Sequence, residues 1–321
     1  MTPNRGKSGE ASGSDESVIV VKNDSRFPYS KGLMATSLMA SGLPPDRSYE
    51  LATMLEQQLR ERGDHYIGTN ELNQLAEAIL AREENDVAVR NFRRWRQLDR
   101  LQRPLIILIC GATGAGKSTL ATMLAHRLGI TRVTATDMVR EVLRAFFSTG
   151  FMPSVHHSSF DADHGLRFDT TSADPFLAGF ERQTEQVAVG IKALIRRAAL
   201  ERTSMVIEGV HALPGAFDEL DEVDAVIIPL VVTVAGEELH RSHFLARGGS
   251  GARQTDRYLE AFPRIRKLQD YIVRQAASAG VPVIDNSSLD AALAEVMNLV
   301  LNRVGMEFEQ TPETYGKERT Q

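Results

Sequence analysis

A chain of 321 residues carrying a net charge of −5 is long enough to bury a large core and to form two domains or one large one. The slightly acidic balance argues against nucleic acid as main partner, because a surface that tracks phosphates carries a basic excess. A single cysteine, Cys110, excludes an internal disulfide and a cysteine-rich metal centre. With no apolar run of membrane-spanning length and no apolar signal core at the N-terminus, a cytoplasmic protein without membrane contacts is expected.

Residues 1–17 are Gly, Ser and charge with nothing to bury, so they read as a disordered tail, and residues 306–321 look the same. Between them the chain first shows a strand, SVIVV from Ser17, then three short amphipathic helices. The first spans about 30–40. Pro44 and Pro45 stop it, and Asp46 is placed to cap a second helix carrying Leu51, Met54, Leu55 and Leu59 on one face. Thr69 or Asn70 caps a third, marked by Leu72, Leu75, Ile79 and Leu80. Residues 18–84 thus read as a small, mainly helical domain. Residues 85–103 read as a linker helix that docks Phe92, Trp95 and Leu98 while Arg90, Arg93, Arg94, Arg96, Arg100 and Arg103 face solvent. Arginine interleaved with aromatics is also what a nucleic-acid patch would show.

The segment 105–119 reads LIILICGATGAGKST. An apolar strand ending at Cys110, a small core residue, runs into a glycine-rich turn, and LATMLAHRL then continues at helical spacing. This is the P-loop, or Walker A, pattern. Glycines let successive N–H groups curl around a phosphate, and the helix adds its positive end. Gly111, Ala112, Thr113, Gly114, Ala115, Gly116, Lys117, Ser118 and Thr119 are therefore assigned to ATP, with Lys117 on the β- and γ-phosphates and Ser118 on Mg²⁺.

From Pro104 onward strands alternate with helices: RVTAT, SMVIEG, VDAVIIPLVVTV and VPVID follow the P-loop strand, with helices over about 138–147, 175–201 and 288–304. The pattern predicts a P-loop α/β domain over 104–305, a five-stranded parallel sheet covered by helices on both faces. Ligands gather beyond the carboxyl ends of such strands. Asp137 ends the second strand and is placed to deprotonate a substrate hydroxyl, or to cap the helix that follows. Glu208 ends the third, where a carboxylate would meet Mg²⁺. Arg140 and Arg144, four apart on one helix face, suit an anionic substrate, although a solvated face would look alike. His211 is read as a substrate contact or a structural hydrogen bond. The loop PSVHHSSFDADH reads as a polar cover over substrate, with His156 assigned to it; its metal-ligand types fit no known spacing. Residues 236–262 read as a lid whose Arg241 and Arg247 reach the developing charge, broken at Gly248 and Gly249, with Arg253 and Arg257 beyond, or as an ordinary helical hairpin.

Two resemblances follow from these residues. VIVVKNDSRFPYSKGLMATSLMASGL is similar to the opening of an ATP-cone, a small nucleotide-sensing module, which would make Lys22, Arg26 and Lys31 its phosphate contacts, or solvated scaffold charges. GATGAGKSTLATMLAHRLGI, TDMVREVLR, PSVHHSSF, VIEGVHALPG and HRSHFLARGG with RYLEAFPRIRKLQDYIV and GVPVIDN, in this order, resemble the archaeal 2-phosphoglycerate kinases. That resemblance implies ATP-dependent phosphorylation of 2-phosphoglycerate to 2,3-bisphosphoglycerate, a small anionic substrate suited to Arg140, Arg144 and the lid arginines. A homo-oligomer is compatible with it. Three alternatives stay open: a kinase of another small anionic hydroxy compound, a nucleotide-sensing regulatory protein that transfers no phosphate, and a polynucleotide-end kinase.

Overall fold

The computed structural model describes residues 18–22, 25–63, 65–166, 173–220, 222–246 and 252–310. Its contacts separate Met1–Met39 with Leu43–Phe92 from Ala40–Gly42 with Arg93–Gln321. In the first unit β1 (Ile19–Lys22) pairs antiparallel with β2 (Ser25–Pro28). Next come α1 (Lys31–Met39), α2 (Pro45–Arg62), β3 (Tyr66–Gly68) and α3 (Thr69–Glu83). Because β3 lies parallel to β1, the unit holds a three-stranded sheet of order β2-β1-β3 where one strand was expected. SRFP and YIG are too short to show alternation, and of the two only Ile67 is buried. The helices bury most of the anticipated stripes, Leu51, Leu55 and Leu59 on α2 and Leu72, Ile79 and Leu80 on α3, while Met54 is exposed and Leu75 half-buried. Asp46 lies in the first turn of α2 without capping it, since Pro44 holds the cap position. The Thr69 hydroxyl donates to Val21 O at 3.1 Å. Of the three cations assigned to the cone-like module, Lys31 is already paired with Glu56 at 2.7 Å and Arg26 lies over the Tyr66 ring.

The expected linker helix is shorter than 85–103. Helix α4 (Asp86–Trp95) is followed by a 3-10 turn at Leu98–Arg100. Phe92 is buried, and Trp95, Leu98 and Leu101 pack against the core of the second unit. The arginines are not simply left to solvent: Arg94 bonds Asn302, and Arg103 reaches Glu307 at 3.1 Å and Ala225 O at 2.7 Å.

The second unit continues with β4 (Leu105–Cys110), α5 (Lys117–Leu128), β5 (Arg132–Ala135), α6 (Thr136–Phe146), α7 (Pro175–Leu200), β6 (Met205–Glu208), β7 (Val226–Thr233), α8 (Glu237–Ala246), α9 (Ala252–Glu260), α10 (Phe262–Ser278), β8 (Val283–Asp285) and α11 (Leu289–Gln310). Its five strands are all parallel in the order β5-β6-β4-β7-β8. Every residue of β4 is buried, which explains its unbroken apolar run. Leu105, Ile107 and Ile109 pack with Leu120 and Leu124 of α5 and Leu293, Met297 and Val300 of α11. Ile106 and Leu108 meet Val187, Ile191 and Ile195 of α7, while Cys110 meets Phe176, Phe180 and Leu268. Burial pushes the Cys110 thiol up to about 12, so it is an inert core residue.

The last helix does not stop near 304. Glu307, only 6% exposed, accepts ion pairs from Arg103 and Arg303 at 3.1 Å, and Phe308 packs on the core, so helix replaces the expected tail as far as Gln310. Among the described residues no helix is long and apolar enough to cross a membrane.

Candidate active site

Strand register sets the geometry. Ala135, Glu208, Ile109 and Leu230 stand side by side on β5, β6, β4 and β7. The residues that follow them therefore emerge at one edge of the sheet, with the start of α6 about two strand spacings, roughly 10 Å, from the P-loop strand.

At the centre the backbone bends from β4 into α5 through three glycines with positive φ: Gly111 at 152°, Gly114 at 85° and Gly116 at 81°. Space forbids side chains here as firmly as conformation does. A Cβ on Gly111 would lie 2.2 Å from Val232 O, on Gly114 2.4 Å from the Phe244 ring, and on Gly116 2.2 Å from Asn286 Nδ2. Lys117, 8% exposed, folds its ammonium back to Ala112 O at 2.8 Å. Three side chains hold the loop from outside. His240 Nε2 meets Thr113 O at 2.8 Å, His243 Nδ1 meets Gly114 O at 2.9 Å, and Asn286 Nδ2 donates to Ala115 O at 3.0 Å. A carbonyl only accepts, so each imidazole nitrogen here carries the proton. Burial holds the His240 imidazole below its usual range.

Ser118 Oγ donates to Glu208 Oε1 at 2.8 Å. Glu208 is 7% exposed, and a carboxylate that deep is costly without a cation. Two hard oxygen donors at the mouth of a phosphate loop suit Mg²⁺, which keeps several waters and takes one or two carboxylates besides substrate phosphates. Among the described residues no cluster of three or more His, Cys, Asp or Glu could hold a metal ion unaided.

On the neighbouring strand end, Asp137 is in the first turn of α6 but does not cap it. Its side chain is 69% exposed and accepts from Arg140 Nε at 3.1 Å. Arg140 is already bonded within the protein: Nη1 reaches Val155 O at 3.0 Å and His157 O at 3.4 Å, and Nη2 reaches Glu141 at 2.8 Å. Arg144 is half exposed and pairs with Glu141 at 3.3 Å. His156 points Nε2 at Phe147 O, 2.9 Å away, and so closes the end of α6 without facing the site. His211 is fully buried, so it cannot touch a substrate and takes the structural role instead. Burial drives its pKa down to about 4, with Asp137 opposing and Arg140 and Lys117 adding to the drop, which leaves the ring neutral near pH 7.

Arg241 lies over the Phe262 ring at 4.5 Å and lines a cleft of 550 Å³ with Glu237, Arg266, Lys267, Asp270 and Arg274. Arg247, Gly248 and Gly249 lie outside the described residues, as does the Arg253 side chain. The acidic loop after α6 is matched by cations on the other helices: Asp161 with Arg257 at 3.0 Å, Asp163 with Arg264, and Asp174 with Lys267 at 2.6 Å.

Sequence reasoning missed His240, His243, Phe244, Asn286 and Gly209. HRSHF places the first three at i, i+3 and i+4 on one helix face, and Asn286 immediately follows the fifth strand, so both signals were present. Gly209 has φ 148°, and a Cβ there would stand 1.9 Å from Thr136 Oγ1. Gly209→Ala is expected to lose about 1–3 kcal/mol, seen as a lower urea midpoint with an unchanged m-value.

The family model described as Zeta toxin matches residues 91–148, which include the P-loop, Asp137 and Arg140. The 2-phosphoglycerate kinase of Methanocaldococcus jannaschii is 34% identical over 287 residues, covering 89% of this chain and 92% of that one. That of Methanococcus vannielii is 35% identical with the same coverage, and that of Thermococcus kodakarensis is 34% identical over 85% of this chain and 92% of its own. Among solved structures, shikimate kinase from Acinetobacter baumannii in complex with shikimate is 20% identical with a TM-score of 0.38, over 63% of this chain and 94% of that chain.

Proposed function

The chain belongs to the 2-phosphoglycerate kinase family, and from that premise we propose that it transfers the γ-phosphoryl group of ATP to the free hydroxyl of 2-phosphoglycerate, giving ADP and 2,3-bisphosphoglycerate. The observation that carries this reading is the row of strand ends that brings Lys117, Ser118, Glu208 and Asp137 to one edge of the sheet.

The N–H groups of Gly111–Ser118 surround the phosphates at the start of α5, and Lys117 supplies positive charge to the oxygens of the moving phosphoryl group. Ser118 and Glu208 would hold Mg²⁺, which neutralises charge on the β- and γ-oxygens when bound. Asp137 takes the proton of the attacking hydroxyl as its oxygen bonds to the γ-phosphorus and the bond to the β-phosphate oxygen breaks. Arg144, whose pair with Glu141 is exposed and exchanges at little cost, would receive the substrate's anionic groups, together with Arg140, which is largely buried but whose carboxylate partners Asp137 and Glu141 are exposed.

The test is a panel of acceptors with γ-labelled ATP. Label entering 2-phosphoglycerate far faster than glycerate, shikimate or gluconate supports the reading, and equal or absent transfer across the panel overturns it. Glu208→Gln is expected to raise the Mg²⁺ needed for half-maximal activity by about 10- to 100-fold, read from a Mg²⁺ titration at fixed ATP.

A further inference from the structure

A continuous chain of hydrogen bonds runs behind the acceptor side of the site, and the three side chains at its centre, Gln183, His211 and Thr136, do not reach solvent. Gln183 Nε2, on α7, donates to Ser154 O at 2.6 Å and His157 O at 3.0 Å. Because carbonyls only accept, the amide is fixed with Oε1 turned toward His211 Nε2, 3.0 Å away. That nitrogen therefore carries the proton, and His211 Nδ1 is left as the acceptor for the Thr136 hydroxyl at 3.2 Å. Thr136, Gln183 and His211 are all fully buried, and the Phe180 ring stacks on the imidazole. One end of the chain is the residue before Asp137. The other is the 154–157 turn, to which Arg140 is also bonded through Val155 O and His157 O.

We propose that His211 is a positioning residue for the phosphoryl acceptor: through Thr136 and Gln183 it fixes the start of α6 against the 154–157 turn and so aims Asp137 and Arg140. This rests on the kinase reading above. A role confined to fold stability would weaken the whole site alike, whereas a positioning role acts on the acceptor and spares the nucleotide. The P-loop is held separately, by His240, His243 and Asn286.

The experiment uses the full chain with Thr136→Val, Thr136→Ser and His211→Ala, varying 2-phosphoglycerate and ATP independently. Thr136→Val keeps the branched shape and removes the hydroxyl. It is expected to lower kcat/KM for 2-phosphoglycerate by roughly tenfold or more, as befits one lost buried hydrogen bond, with the KM for ATP within about twofold. Thr136→Ser should restore most of the loss. Adding Thr136→Val to His211→Ala should cost little further, since both cut the same link. Backbone amide exchange at residues 136–141 and 154–157 should quicken in Thr136→Val while that of α5 does not, a readout independent of the acceptor's identity. Equal losses for ATP and 2-phosphoglycerate, no loss in Thr136→Val, or exchange rising in α5 as much as in α6 would each overturn the proposal. Should His211→Ala fail to fold, the two Thr136 variants decide. A wild-type enzyme that leaves 2-phosphoglycerate unphosphorylated contradicts the kinase reading instead, and the exchange experiment still judges His211.

Discussion

With Lys117 replaced by methionine, kcat is expected to fall about 10³-fold, close to 4 kcal/mol of transition-state stabilisation. The side chain is 8% exposed and its stem lies against Gly111, so methionine fills the space and removes only the charge. The ammonium at 2.8 Å from Ala112 O is folded over the loop in which phosphate oxygens would gather negative charge. An interaction that strengthens as the phosphoryl group moves lowers kcat and kcat/KM together, so the KM for ATP should change far less than kcat. Steady-state kinetics and calorimetric ATP binding separate the two. Ordinary turnover with weakened ATP binding would assign Lys117 to affinity alone.

Asp137→Asn is the second large effect. Removing a general base costs about 10²- to 10⁴-fold in rate, and here it should do so with the fold intact, because the side chain is 69% exposed and does not cap α6. Unfolding midpoints should match those of the native chain, and ATP should bind as before. The ion pair with Arg140 at 3.1 Å is lost, but Arg140 keeps its bonds to Val155 O, His157 O and Glu141. A protein that only senses nucleotide would show almost no change in this variant. The comparison thus separates a phosphotransferase from a regulatory P-loop protein more sharply than any P-loop substitution.

What could be read from sequence depended on how local its cause was. The P-loop was legible because glycine spacing, the preceding apolar strand and the helix after it lie within fifteen residues and obey one geometric demand. The placement of Asp137 and Glu208 was legible because β6 ends at Glu208 and β5 ends two residues before Asp137, which opens α6 instead of closing the strand, and parallel strands deliver their carboxyl-end residues to one edge. Burial was not legible. Histidine is as apt to bind a substrate as to bridge two buried groups, and nothing near Gly209-Val210-His211 shows that Thr136 and Gln183 close around the ring. The ties of Arg140 were hidden for the same reason, since the carbonyls of Val155 and His157 that it clasps are 15 and 17 residues away. Asp161, Asp163 and Asp174 became intelligible only beside Arg257, Arg264 and Lys267 on α9 and α10. In the first unit, β2 and β3 escaped because strands of four and three residues, mostly exposed, carry too little alternation to be seen.

The most direct measurement follows both phosphorus-containing products of a single reaction by ³¹P NMR, with the enzyme, Mg²⁺, ATP and 2-phosphoglycerate together. One new monoester resonance, coupled to the C3 protons of the acceptor and growing in step with ADP, is the predicted result. ADP accumulating with free orthophosphate while the 2-phosphoglycerate resonance stays unchanged would contradict it.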